Sequence, residues 1–201
     1  MEATEILSSE HRVIERVIAA LDAAAGRLDA GEAMQPDFFR AATRFLRHFA
    51  DGFHHGKEEG VLFEAMVRHG MPLDGGPIGM MRHEHGRARE LTAGLGHAAD
   101  RLAAGDRSAA IIVADYARAY GELLTQHIYK EDNILFPMAA QAIPLQDQDQ
   151  VLDDFARVER EQADHGSKAS YLELAQSLCD EMGVDLDATT RRGVTLPCHA
   201  R

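Results

Sequence analysis

Two stretches of this 201-residue chain carry one pattern: HHGKEEGVLF at residues 54–63 and HIYKEDNILF at residues 127–136. Aligned on their final phenylalanines, His54 falls on His127, Lys57 on Lys130, Glu58 on Glu131, Leu62 on Leu135 and Phe63 on Phe136. A second echo precedes each copy. EHRVIERVIAALDAAAGRLDAG from Glu10 matches EHGRARELTAGLGHAADRLAAG from Glu84, which pairs His11 with His85 and Leu21 with Leu95. The repeat unit is therefore one histidine-bearing helix followed by one carrying His-x-x-x-Glu. Each half supplies two imidazoles and one carboxylate, so the duplication points to a two-metal site with approximate two-fold symmetry inside a helical bundle.

Apolar spacing is helical almost throughout and strand-like alternation is missing, so the fold class is all-α. Five helices are expected. The first runs from about Thr4 to Leu28 and ends near Gly31; the second starts after Pro36 and continues to about His69. Glycines and prolines in GMPLDGGPIG make residues 70–79 the connection between the halves, and a third helix follows to about Ala104. Ser108 is the expected cap of the fourth, which must bend or tighten near Pro137 before Pro144 ends it. From Leu145 to Met182 an apolar stripe of Val151, Leu152, Phe155 and Val158, then Tyr171, Leu172, Leu174 and Leu178 beyond a break at Gly166, suits a helix lying across the bundle. The terminal DATTRRGVTLPCHAR reads as loosely ordered. The expected organisation is a bundle over residues 1–143 and a C-terminal helical extension and tail over residues 144–201.

At about 100° per residue, His54 and Glu58 lie about 40° apart on a helix face shared with Ala50, Val61 and Ala65. The same projection groups His127 and Glu131 with Tyr116, Tyr120, Leu123, Ile134 and Met138. His11 shares its face with Leu7, Ile14, Ile18 and Leu21, and His85 with Met81, Ala88, Thr92 and Leu95. All four histidines therefore look inward. Two ionised glutamates buried without partners would cost several kcal/mol each, so cations are the economical explanation. Iron suits a mixed imidazole and carboxylate set with open positions best. Zinc and manganese stay as alternatives, because ligand type alone discriminates poorly among divalent first-row metals.

The formal charge of −12 argues against a nucleic-acid surface or an anionic-membrane anchor. Neither an N-terminal apolar signal segment nor an 18-residue apolar run is present, which makes the cytoplasm the default location. Cys179 and Cys198 are too few for a disulfide framework and read as reduced thiols.

In combination, EH at 10–11, HHGKEEGVLF, MRHEH at 81–85 and HIYKEDNILFP resemble the hemerythrin-type HHE cation-binding family over roughly residues 4–141. The resemblance implies an up-down-up-down four-helix bundle holding a non-haem di-iron centre with an oxo or hydroxo bridge. Carried over residue by residue, its metal ligands are His11, His54, Glu58, His85, His127 and Glu131. There is one departure. Oxygen-carrying hemerythrins have His-x-x-x-His on the third helix, and here the position four before His85 is Met81, so a fifth imidazole is missing there. The surviving pattern is similar to the branch that includes iron-sulfur repair and nitric-oxide-responsive di-iron proteins.

Asp132 stands five after His127 but projects about 140° from it, so Glu131 is preferred. His55 and Glu59 project about 100° and 140° from His54, toward the flank, and read as supports behind the ligands or as surface. His48, His69, His83, His97, His165 and His199 have no place in the repeat. Tyr116 and Tyr120 share the ligand face, as hydrogen-bond or electron donors or as core packing. Gly52, Gly56 and Gly60 form a stripe opposite His54 on which the helix after Leu145, or a second subunit of a homodimer, would pack.

The expected function is binding of dioxygen, nitric oxide or peroxide for sensing, detoxification or iron handling. The rivals are a di-iron oxidoreductase (peroxidase, oxidase or nitric oxide reductase), an iron-sulfur repair protein and a metal-storage or structural bundle. Whether the chain is an enzyme stays open at this point.

Overall fold

The computed structural model describes residues 3–184; the tail from Asp187 and with it Cys198 and His199 lie outside the described residues. Six helices account for most of the described chain. α1 is Ala3–Asp29. α2 covers residues 36–68 as one rod, α-helical over Pro36–Phe45, wound as a π-helix over Leu46–His55 and again over Glu58–Leu62, and α-helical over Phe63–Arg68. α3 is Gly76–Ala103. α4 covers residues 109–142, with a π turn at Glu131–Leu135 between α-helical Ala109–Lys130 and Phe136–Ala142. α5 is Leu145–Glu161 and α6 is Lys168–Met182.

Short loops fold the first four into antiparallel neighbours, α1 and α3 each lying along α4 and α3 also along α2. α1 stops where Gly31 turns to φ 76°, donating to Leu28 O while Glu32 donates to Arg27 O, a conformation glycine adopts without a Cβ clash. α3 starts earlier than its glycines suggested, because Pro77 lacks only an N–H that the first turn leaves unbonded anyway. Ser108 does not cap α4 by its side chain; Asp106 accepts from the Ser108 N–H at 3.0 Å instead. The break at Gly166, at φ 130°, separates α5 from α6.

Pro137 does not tighten α4. The turn ahead of it widens into the π segment, and the wider winding shifts the phase of its side chains: Ile134, projected onto the ligand face, is 49% exposed, while Leu135 is buried.

Two apolar clusters divide the interior. The larger joins Ile14 to Ala25 of α1 with Phe38 to Phe53 of α2, Ala88 to Ala99 of α3, Val113 to Ile128 of α4 and Tyr171 to Met182 of α6. The smaller joins Leu7, Val61 to Met66, Ile78, Met81 and Leu135 to Ile143 with Val151, Phe155 and Val158 of α5. Between them lies a layer of buried polar side chains. α5 occupies the glycine face of α2 as the stripe suggested: a Cβ on Gly56 would meet Val158 Cγ1 at 3.3 Å and one on Gly52 the Gln162 Oε1 at 2.8 Å, whereas Gly60 faces open space. Among the described residues no helix is long and apolar enough to cross a membrane.

Candidate metal centre

The polar layer contains His11 from α1, His54, His55 and Glu58 from α2, His85 from α3, and His127 and Glu131 from α4, all at most 1% exposed. The six residues carried over from the resemblance are thus in one place, and a seventh stands with them. One ligand atom from each of His11, His54, Glu58 and Glu131 lies within 4.8 Å of the others, and the same holds for His55, Glu58, His85 and His127. Glu58 belongs to both groups. Glu131 reaches the second as well, with Oε2 3.1 Å from His127 Nε2 and Oε1 3.8 Å from His85 Nε2.

His55 is the residue whose position differs from the helical projection. In a π-helix each N–H bonds the carbonyl five residues back, so successive side chains turn by less than the 100° of an α-helix and the coil broadens. His54 and His55, both within the Leu46–His55 segment, consequently both enter the interior instead of splaying apart. The His55 ring stacks on that of His85 with centroids 3.8 Å apart.

Behind every imidazole stands a carboxylate. Nδ1 of His11 meets Asp132 at 2.9 Å, that of His54 meets Glu10 at 3.1 Å, that of His55 meets Asp51 at 3.2 Å, that of His85 meets Glu59 at 2.7 Å and that of His127 meets Glu84 at 2.9 Å. An ionised carboxylate only accepts, so each Nδ1 carries a proton and each Nε2 is the nitrogen turned to the interior. Four of the five supports obey the duplication, Glu10 with Glu84 and Glu59 with Asp132, and each member of the first pair receives a lysine, Lys57 and Lys130 respectively. The Asp51 support of His55 has no counterpart, since residue 128 is Ile.

The Nε2 atoms point at one another and at the two shared glutamates. His11 Nε2 lies 3.2 Å from Glu131 Oε2, His54 Nε2 3.4 Å from Glu58 Oε1, and His85 Nε2 3.4 Å from Glu58 Oε2 and 3.1 Å from His127 Nε2. Both oxygens of Glu58, Oε1 of Glu131 and Nε2 of His55 are buried without a hydrogen-bond partner. An enclosure lined by acceptors is short of positive charge.

The acid-base balance of the protein alone reflects that shortage. Burial works against charging His11, but bonds to Asp132 and Glu131 and the charges of Glu131 and Glu58 push it up to about 10. His85 rises well above the ordinary histidine value against the same burial, through Glu131, Glu58 and Glu59, and His127 rises through Glu131 and Glu84. His55 goes the other way. Burial, reinforced by the neighbouring imidazoles, holds it well below the ordinary value and keeps it neutral. Burial opposes ionisation of Glu131 too, yet His127, His11 and His85 hold it well below the carboxylate range. The donor set, neutral or displaceable imidazole nitrogen plus shared carboxylate, fits one first-row ion in each group.

A cavity of about 120 Å³ abuts this layer, lined among others by Leu46, Asp51, His55, Thr92 and Tyr120. Tyr120 is 1% exposed and burial raises its hydroxyl above the ordinary phenol value. Tyr116 packs instead on Gly94, where a Cβ would come within 2.3 Å of its ring. Of the remaining described histidines, His48 stacks on His165 and Tyr171, His69 meets Asp147 at 2.9 Å, and His83 and His97 are exposed.

Residues 2–139 match the sequence model of the hemerythrin HHE cation-binding domain. Uncharacterized proteins of Mycobacterium tuberculosis and of Mycobacterium bovis are 27% identical to this chain over 135 residues, 67% of this chain and 52% of theirs. The chain thus spans about half the length of the curated relatives it matches. No solved structure matches it.

Proposed function

This chain belongs to the hemerythrin HHE cation-binding domain family, and from that premise we propose that it is a non-haem di-iron protein that binds a small ligand, dioxygen, nitric oxide or peroxide. In this reading His11 and His54 hold one ion, His55, His85 and His127 hold the other, and Glu58 and Glu131 are shared. The observation that carries it is the convergence of five imidazole nitrogens on two buried carboxylates, three of whose four oxygens have no hydrogen-bond donor. His55 supplies the fifth imidazole in place of the one that Met81 replaces on the third helix. A di-iron pair bound there would supply redox-active Lewis acids to an exogenous ligand. The chain's part is to orient the imidazoles through their carboxylates, keep bulk water out and offer a space suited to molecules of a few atoms, since about 120 Å³ exceeds what one water needs only several-fold.

Optical spectra of anaerobically reduced, iron-loaded protein after separate additions of dioxygen, nitric oxide and peroxide test this. Two irons per chain and new visible bands are expected. Bound zinc, or iron with no spectral response to any of the three, would count against it. His55→Ala removes a nitrogen donor from one of the two irons and should lower the occupancy of that iron while leaving the other in place. Loss of neither would remove His55 from the ligand set.

A second reading, an oxidoreductase, draws on Tyr120, a fully buried phenol beside the centre that makes no hydrogen bond to the described residues. A phenol so placed is suited to giving an electron to an oxidised centre. Steady-state consumption of peroxide that Tyr120→Phe abolishes, with iron content unchanged, would select the enzyme over the binding protein.

A further inference from the structure

The family match ends at residue 139, yet two side chains from beyond it reach the charged groups behind the metal layer. Glu10, the support of His54 Nδ1, is 2% exposed and sits in a closed ring of charges. Lys57 bonds it through Oε1, and Lys168 of α6 approaches the same oxygen at 2.6 Å. Glu159 of α5 completes the ring, accepting from Lys57 at 2.7 Å and from Lys168 at 2.8 Å. The Phe155 ring of α5 lies 5.8 Å from Lys57 Nζ, and Lys57 is 0% exposed. At the duplicated position nothing comparable exists among the described residues. Lys130 meets Glu84 alone, and its side chain is 32% exposed.

We propose that Glu159 and Lys168 are positioning residues of the metal centre, through which α5 and α6 fix Glu10 and hence the orientation of His54, and with it the ion that His11 and His54 hold. Two ammonium groups converge on one oxygen of Glu10, Lys57 by a hydrogen bond and Lys168 as an ion pair, and leave the other free for His54. Their positions are in turn set by Glu159. Because a ligating imidazole is oriented by what its second nitrogen bonds, moving this ring turns the Nε2 of His54 relative to Glu58. The effect is confined to one half. His127 takes its orientation from Glu84 and Lys130, which neither Glu159 nor Lys168 touches.

The inference rests on the di-iron reading above, and the experiment keeps the two apart. Glu159→Gln and Lys168→Met are made in the full chain, with Lys130→Met as the control in the other half; Glu159 and Lys168 are partly exposed, so both variants should fold. In iron-loaded protein, release to a chelator is followed together with the Mössbauer spectrum. In the Glu159 and Lys168 variants one iron should leave about tenfold faster with one quadrupole doublet moved, and in the Lys130 variant the other iron should be affected. Equal effects on both irons, or none, would overturn the proposal. In metal-free protein the Nδ1–H resonance of His54 should move in the Glu159 and Lys168 variants while that of His127 stays. That arm reads the linkage even if the metal proves not to be iron, and an unmoved His54 resonance would overturn it independently.

Discussion

The two halves of the duplicated unit reach the same inner arrangement and differ in what surrounds it. In both, a histidine on the first helix and a His-x-x-x-Glu on the second converge, with a glutamate one residue before the first histidine supporting the imidazole of the second helix. The halves part at two places. The first half winds fifteen residues as π-helix against five in the second, and so brings in His55 where the second has Ile128. It is also covered by α5 and α6, so that Lys57 is fully buried while its counterpart Lys130 remains partly open to water. What duplication preserves is the arrangement of the buried charge; what it leaves free to diverge is the shell that decides how similar the two histidine groups are.

The largest effect should come from breaking what the halves share. Glu58→Ala removes the carboxylate that belongs to both histidine groups and Glu131→Ala one that belongs to the first and reaches His127 and His85 of the second, so iron should fall well below two per chain in either variant. Full occupancy by metal analysis in either would contradict the sharing. Next, Lys57→Met and Lys130→Met should separate the halves. The first removes a buried cation from two carboxylates and should cost about 3–5 kcal/mol in urea unfolding of the metal-free protein. The second removes a half-exposed one and should cost about 1 kcal/mol or less. Equal losses would show that the cover by α5 and α6 is immaterial to stability.

A smaller effect concerns pH. His11 is pushed up to about 10, and His85 and His127 are raised, so in metal-free protein their contribution to stability is fully present below the unfolded value near 6.5. It is lost as pH climbs through the raised values. Bound ions displace those protons, so the iron-loaded protein should not share the loss, and the Tm difference between the two forms should widen between pH 6.5 and 9.5. Parallel melting curves would argue that these imidazoles are not where the ions bind. The smallest effect is at the glycine face. Gly60→Ala meets nothing and should stabilise by about 0.5–1 kcal/mol through helix propensity. Gly56→Ala must displace Val158 and should gain less or lose, as thermal melts of the two would show.

Much of this was legible before any coordinate. The repeat alone singled out His11, His54, Glu58, His85, His127 and Glu131, because it compares the chain with itself and needs no assumption about helix pitch. The projection that set aside His55 did need one. It used the α-helical angle in the segment that is wound wider, and the same assumption placed Ile134 inward when Leu135 is the buried residue. Asp132, weighed as a ligand, instead supports His11, while Glu59 supports His85 as its flank position suggested, and their equivalence was already present in the alignment as Glu59 over Asp132. The stripe of α5 and the glycines of α2 announced their own contact. Nothing local announces Lys168 on Glu10, which joins opposite ends of the chain and depends on how α6 lies along α1.

The polar layer lies between two separate apolar clusters, each of which draws on five of the six helices. Such a molecule has two fastenings, one at each end, and its least oil-like stretch is in the middle. Loading and unloading of cations should therefore proceed by local breathing of that middle stretch while both ends stay shut, so that exchange of ions and global denaturation are kinetically distinct events.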